Sequence, residues 1–281
     1  MITNQLARRW AIRAGALLAG AAMLAGTTGC DKLKARDNLN KGVQAYKAAR
    51  YEEAINRFQQ AVQLDPSLIN AKLYLATAYS NQYVPGVDAP DNNRNAEQAI
   101  DTFKQLLNQN LNKEQKVGCL KGIASIYFNM KKLDEAKQYD QEVLKVDPND
   151  PETYYTIGVI DWTQAYRDAA DIKSKADKKV DDDVTKDKKV CPAVQEANQQ
   201  RVTEGIDMLQ KALDLRPDYD DAMAYMNLMY RRKADIACGD PAAREADLKT
   251  ANDWVEKTLA TKKEKAQKQQ GPGGIVAEPT K

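Results

Sequence analysis

Histidine is absent from all 281 residues. Its absence removes the commonest general base, the usual triad partner and the commonest metal ligand. Cysteine is sparse, four residues at 30, 119, 191 and 238, too few and too scattered for a zinc site. An excess of charge is also missing. The formal balance is +2, but Arg8, Arg9 and Arg13 fall in an N-terminal leader-like stretch, and without them 39 basic face 40 acidic residues. Nucleic-acid binding gains no electrostatic support from such a balance. No long apolar run occurs either. The stretch Ala14 to Ala25 holds twelve residues, too few to span a bilayer as a permanent helix. No nucleophile, metal or cofactor constellation stands out, so the chain reads as non-enzymatic, without cofactor or small-molecule substrate.

What is present is a spacing that recurs. Gly42 to Pro66 reads GVQAYKAARYEEAINRFQQAVQLDP, with small residues at Gly42, Ala54 and Ala61, an aromatic at Phe58 and a closing proline. Related spacings follow at Ala76, Tyr79, Ala99 and Phe103, and at Ala124, Tyr127, Ala136, Val143 and Pro148. Two more copies carry Gly158, Gly205, Leu209, Ala212 and Pro217, then Asn227, Tyr230, Ala251 and Val255. Small residues let two antiparallel helices approach, large ones fill the space between, and proline stops the second helix. The pattern resembles the tetratricopeptide repeat (TPR), a helix–turn–helix unit of 34 residues. The resemblance covers about 35–258 and implies an all-α, right-handed solenoid of about five repeats. Their expected bounds are 35–68, 69–113, 114–150, 151–219 and 220–268.

Three repeats have enlarged turns, with insertions expected at 82–94, 168–200 and 236–246. Gly42 and Ala54 are 12 positions apart, whereas Ala76 to Ala99 spans 23, Gly158 to Gly205 spans 47 and Asn227 to Ala251 spans 24. In the largest insertion, VDDDVTKDKK balances Lys against Asp with few apolar residues, which reads as a solvated, mobile segment. Its Asp181–Asp183 triplet lacks the glycine and distal Glu of an EF-hand. Asn112 with Gln115 reads as a capping box. Asp150-Pro151 reads as an N-cap followed by a first-turn proline. A long last helix is expected to cover the end of the solenoid, followed by a disordered tail at 269–281.

Ahead of the repeats, Arg8, Arg9 and Arg13, the apolar run and small residues before Cys30 resemble a bacterial lipoprotein signal peptide over 1–29. Thr27 departs from the aliphatic residue usual in that motif. The resemblance implies cleavage after Gly29, lipid on Cys30 and a short tether at 30–34. It places the protein in the cell envelope, facing the periplasm, with the membrane leaflet left open. Export implies an oxidising compartment. Cys191 and Cys238 both fall at the turn edge of adjacent repeats, which makes them the expected disulfide, worth about 3–4 kcal/mol in the chain-entropy model. Three unpaired thiols are the alternative, and Cys119 is expected inside a helix.

In the TPR family the first helix of each repeat lines a concave groove that takes a partner peptide or helix. Repeat positions put Tyr46, Lys47, Asn70, Asn81, Lys121, Phe128, Asn129, Tyr155, Trp162, Arg231 and Arg232 on that face. Tyr155 and Trp162 are the expected apolar anchors, or else pack against the neighbouring repeat. The expected function is a lipid-anchored scaffold for a protein partner, as in outer-membrane or pilus assembly. The alternative is an adaptor or regulatory subunit of a polysaccharide synthesis or secretion complex.

Overall fold

Glycine and alanine decide where the helices of this chain touch. In the computed structural model, which describes residues 29–269, the described residues form helices and turns without strands. The expected signal peptide, apart from Gly29, and the tail beyond Gln269 lie outside the described residues. The chain divides into two compact units, 1–130 and 131–281.

The first unit contains α1 (helical over 29–47), α2 (Tyr51–Leu64), α3 (Ile69–Gln82), α4 (Pro90–Leu107) and α5 (Lys113–Asn129). Gly42 of α1 lies under the Phe58 ring of α2, and a methyl at Gly42 would stand 2.5 Å from Phe58 Cε1. Gly122 of α5 receives Phe103 of α4 in the same way, with a methyl falling 2.7 Å from the ring. Around these contacts Ala54, Ala61, Ala71, Ala76, Ala96 and Ala99 are fully buried. Consecutive helices pack from α2 to α5, and α3 also touches α5, stacking one first helix on the next. The tether expected at 30–34 is instead helical and continuous with α1, and Ala35 is already buried.

The second unit contains α6 (Leu133–Val146), α7 (Pro151–Ser174), α8 (Val190–Leu215), α9 (Asp220–Asp235) and α10 (Pro241–Gln269). Gly158 of α7 is filled by Leu209 of α8, and Gly205 of α8 by Met229 of α9. Consecutive helices again pack in order, and α7 also meets α9. The expected caps are formed. Asn112 and Gln115 exchange bonds of 2.8 and 3.1 Å at the start of α5. Asp150 accepts from Glu152 N at 3.1 Å and from Thr153 Oγ1 at 2.9 Å, with Pro151 opening α7.

The insertions are smaller as loops than the spacing suggested, because much of their length extends helices. Of 82–94, only 83–89 lies between helices. Buried Asn92 closes that loop by accepting from Val84 N at 2.7 Å and donating to Val84 O and Val87 O at 2.9 and 2.7 Å. Of 236–246, only 236–240 remains, and Asp240 caps α10 by accepting from Ala243 N at 2.9 Å.

The mobile segment expected within 168–200 is the largest correction. α7 runs to Ser174 and α8 begins at Val190, leaving 175–189 as a folded loop. Three of its Asp residues accept from backbone amides within or next to the loop. Asp182 accepts from Lys179 N at 2.8 Å, Asp183 from Thr185 N at 3.0 Å, and Asp187 from Lys189 N and Val190 N at 2.9 and 3.0 Å. Lys173, fully buried, donates to Val180 O and Asp182 O at 2.8 and 2.9 Å and lies 3.7 Å from Asp235 Oδ2. Val184 joins Val190, Val194 and Ile236 in an apolar cluster beneath the loop. Cys191 and Cys238 are joined as a disulfide with Cα atoms 5.7 Å apart, Gly239 N donates to Thr185 O at 3.0 Å, and Arg244 pairs with Asp183 at 3.3 Å. Near the end of α10, Lys265 is bonded to Asp220 Oδ1 at 2.6 Å.

Candidate partner-binding face

Tyr155, Trp162 and Tyr166 follow one another on α7 at spacings of seven and four, which align side chains along one face of a helix. Helix α9 lies alongside and contributes Tyr225, which meets Tyr155 at 5.6 Å and Trp162 at 5.5 Å, edge-on to both at 82° and 84°. Trp162 stacks on Tyr166 at 5.4 Å, and Tyr155 meets Tyr219 from the α8–α9 turn at 5.0 Å. Edge-to-face and offset contacts at these distances suit the ring quadrupoles. Guanidinium groups close the two ends, Arg232 at 5.5 Å from the Tyr166 centroid and Arg216 at 4.6 Å from that of Tyr219. All five rings are half-buried.

The strip is therefore an uncharged aromatic ribbon, in part core and in part surface. Burial pushes the hydroxyls of Tyr155, Tyr219 and Tyr225 above the ordinary tyrosine range, and the Asp221 carboxylate adds to it for Tyr155 and Tyr225. Each phenol stays neutral at physiological pH and offers one donor and one acceptor beside a broad apolar face.

Beneath the strip lies a buried charge. Asp161 is 0% exposed, and Lys137 Nζ of α6 reaches its Oδ1 at 2.5 Å and Glu204 Oε2 of α8 at 2.9 Å. Desolvation pushes the Asp161 carboxyl up to about 6, with Lys137 opposing that rise.

Of the residues expected to line a groove, the structure gathers Tyr155, Trp162 and Arg232 in the second unit. Arg231 is turned to Asn227 Oδ1 and Asn252 Oδ1 at 3.0 and 3.1 Å, and Arg232 is ion-paired to Asp235 at 2.9 Å. In the first unit the Asn81 amide donates to the Tyr46 hydroxyl, so these two side chains engage each other. The Tyr46 ring meets Tyr51 and Tyr74 at 5.5 and 6.3 Å. Lys47 and Asn70 are exposed, and Lys121, Phe128 and Asn129 are half-buried on α5. Tyr166, Tyr219 and Tyr225 were missed by the repeat-position argument. The four-residue step from Trp162 was a signal for Tyr166, whereas Tyr225 joins only through the packing of α9 on α7. Cys30 is exposed, and Cys119 is buried with its thiol pushed up to about 11 by desolvation.

Residues 122–150 match the family model of the tetratricopeptide repeat. Among solved structures, a MamA RS-1 ArsTM double mutant aligns with a TM-score of 0.54 at 15% identity, over 83% of this chain and 96% of its own. MamA 41-end from Desulfovibrio magneticus RS-1 gives 0.53 at 15% identity, over 82% and 96%. A further crystal structure of MamA gives 0.53 at 13% identity, over 87% and 98%. At these identities the likeness is one of fold. No curated protein matches the sequence. The chain carries the tetratricopeptide repeat and has the fold built from it.

Proposed function

We propose that this protein is a non-enzymatic scaffold that holds a partner protein's peptide or helix against the first-helix face of its repeats. The observation that carries the reading is the half-buried strip of Tyr155, Trp162, Tyr166, Tyr219 and Tyr225. Rigid aromatics at a partly exposed surface are the residues that dominate binding energy when a partner covers them. The scaffold sits in the bacterial cell envelope, tethered by lipid on Cys30, whose side chain is exposed at the start of α1. No helix among the described residues is long and apolar enough to cross a membrane.

The test compares crosslinked partners of the intact protein in envelope membranes with those of a Tyr155→Ala/Trp162→Ala double variant. Both rings also support α9, so circular dichroism and a Trp162→Phe variant control for lost folding. A partner retained by the intact protein and by Trp162→Phe, and lost by a still-helical double variant, supports the strip. A partner that survives the double change places binding elsewhere. Lipid attachment is read separately, as incorporation of a labelled fatty acid that Cys30→Ser abolishes.

A further inference from the structure

Repeat four and repeat five present the same surface to whatever follows them. Among the described residues only that of repeat four is covered, so α10 does not close the end of the solenoid as expected of the last helix. In repeat four the surface is Tyr155 and Gly158 of α7 with Leu209, Ala212 and Leu213 of α8. Helix α9 lies on it, packing Ala222, Met223, Met226 and Met229 into one core with those leucines. Three and four residues separate Leu209 from Ala212 and Leu213, and the same steps separate Val255 from Thr258 and Leu259 on α10. Ala224 and Asn227 of α9 are likewise three apart, as Tyr155 and Gly158 are. These five residues line an open cavity of about 170 Å³. The difference is cover. Leu213 is 6% exposed and its counterpart Leu259 is 63% exposed.

We propose that this end surface is a docking seat for one amphipathic helix of another protein, laid on α9 and α10 as α9 is laid on α7 and α8. The covered copy defines the occupant's chemistry: small or unbranched apolar side chains at i, i+1, i+4 and i+7, the spacing of Ala222, Met223, Met226 and Met229. A second copy of this chain does not supply it. In the same register, set by Gly42 against Asn227, α1 carries Asp37, Asn38, Lys41 and Gln44, with Lys41 and Asp37 ion-paired at 2.7 Å. That face is polar, so stacking α1 on the seat would bury an exposed ion pair at the cost of its desolvation, with no apolar side chain to fill the cavity.

Charge sets the direction. Past Leu259, α10 continues with exposed Lys263 and with Lys262, which lies 3.8 Å from Asp220 Oδ2 on α9. A helix running antiparallel to α10 brings its first turn beside these lysines, as α9 brings Asp220 within 2.6 Å of Lys265. The occupant is therefore acidic in its first turn, which also suits its own dipole.

The probe is a fluorescein-labelled synthetic peptide of residues 218–233, DYDDAMAYMNLMYRRK, titrated with the full chain and followed by anisotropy. The expected result is saturable binding, weakened at least about tenfold by Leu259→Glu, as for a buried interface anchor. Leu215→Glu, at another exposed leucine (41%), leaves it unchanged, and a peptide with Met223→Glu/Met226→Glu does not bind. Because Leu259 is exposed, its substitution keeps the fold, which circular dichroism checks. Absence of binding overturns the proposal. Binding indifferent to Leu259→Glu also overturns it, since the peptide would then be replacing α9 in its own seat. Tighter binding in an Ile275→Asp/Val276→Asp chain assigns the seat to this protein's own C-terminal residues. A concentration-dependent dimer in sedimentation that Leu259→Glu dissolves assigns it to a second copy. Either result overturns the foreign helix.

Discussion

Two enlarged turns, one in each unit, solve the same problem at different cost. The loop 83–89 is held mainly by Asn92, which satisfies three backbone groups at once, with Asn93 donating to the Asp88 carboxylate at 2.9 Å. The loop 175–189 is about twice as long, and it uses a buried lysine, a disulfide, an ion pair and an apolar cluster. Both insertions first lengthen the flanking helices, whose backbone groups pair among themselves. Only the remainder needs outside partners, because a buried backbone group left unpaired is expensive. The number of fasteners follows the number of backbone groups that helix extension leaves over.

Substitutions at the fasteners break this comparison, with native-state hydrogen exchange reading each loop locally. Lys173→Met has the largest expected effect. It leaves Val180 O, Asp182 O and Asp235 without the ammonium they surround. Asp235 keeps its pair with Arg232, so the loss comes from stranding two carbonyl groups at about 1–3 kcal/mol each, and protection in 175–189 and the start of α8 should collapse. Cys191→Ser/Cys238→Ser comes next, at about 3–4 kcal/mol if the unfolded chain gains the freedom of the opened loop. A reductant should reproduce that loss in the wild type and leave the variant unaffected. Asn92→Ala should cost about 1–3 kcal/mol, the price of stranding buried backbone groups, with faster exchange in 83–89 and no change in 175–189. Equal responses of both loops to either substitution would collapse the distinction.

A further difference is a pH dependence seated in the second unit. The Asp161 carboxyl is raised to about 6 in the folded chain, so the folded state holds its proton more tightly than the unfolded chain, where the ordinary value is near 3.9. Its contribution is fully present below about pH 4 and is lost as pH rises through about 6. Relative to Asp161→Asn, the wild type should therefore lose stability between pH 4 and 6 and run parallel above pH 7. Chemical denaturation of the two proteins across this range provides the check. A difference that does not change with pH would mean that Lys137 fully offsets both the burial and the Glu204 charge.

The repeat itself was legible because steric need writes directly into residue type. Gly42 under Phe58 and Gly158 under Leu209 tolerate no methyl, and Asn112, Asp150 and Pro151 mark helix starts by their own bonding. The cysteine pair was legible for a related reason, since the repeat register alone brought both residues to one edge. The 175–189 loop was not. Lysine and aspartate in alternation read as a solvated segment, yet each of Asp182, Asp183 and Asp187 caps nearby amides, and Lys173, which pins the loop, precedes it on α7. Composition counts charges and does not register what a carboxylate is bonded to. The aromatic strip was half legible. Tyr155 and Trp162 follow from repeat position, whereas Tyr225 belongs to it only because α9 lies on α7.

The disulfide also makes the chain partly inextensible. Cys191 and Cys238 enclose most of α8, all of α9 and the turn between them in one covalent ring. When the protein is stretched between its ends, the 47-residue separation contributes no slack. The oxidised molecule should reach a final contour length about 160 Å shorter than the reduced one. Tyr219, Tyr225 and Arg232 sit within that ring, so tension passes through the sulfur bridge and bypasses their part of the aromatic strip. A scaffold loaded between an anchor and a partner would keep α8 and α9 off the line of force.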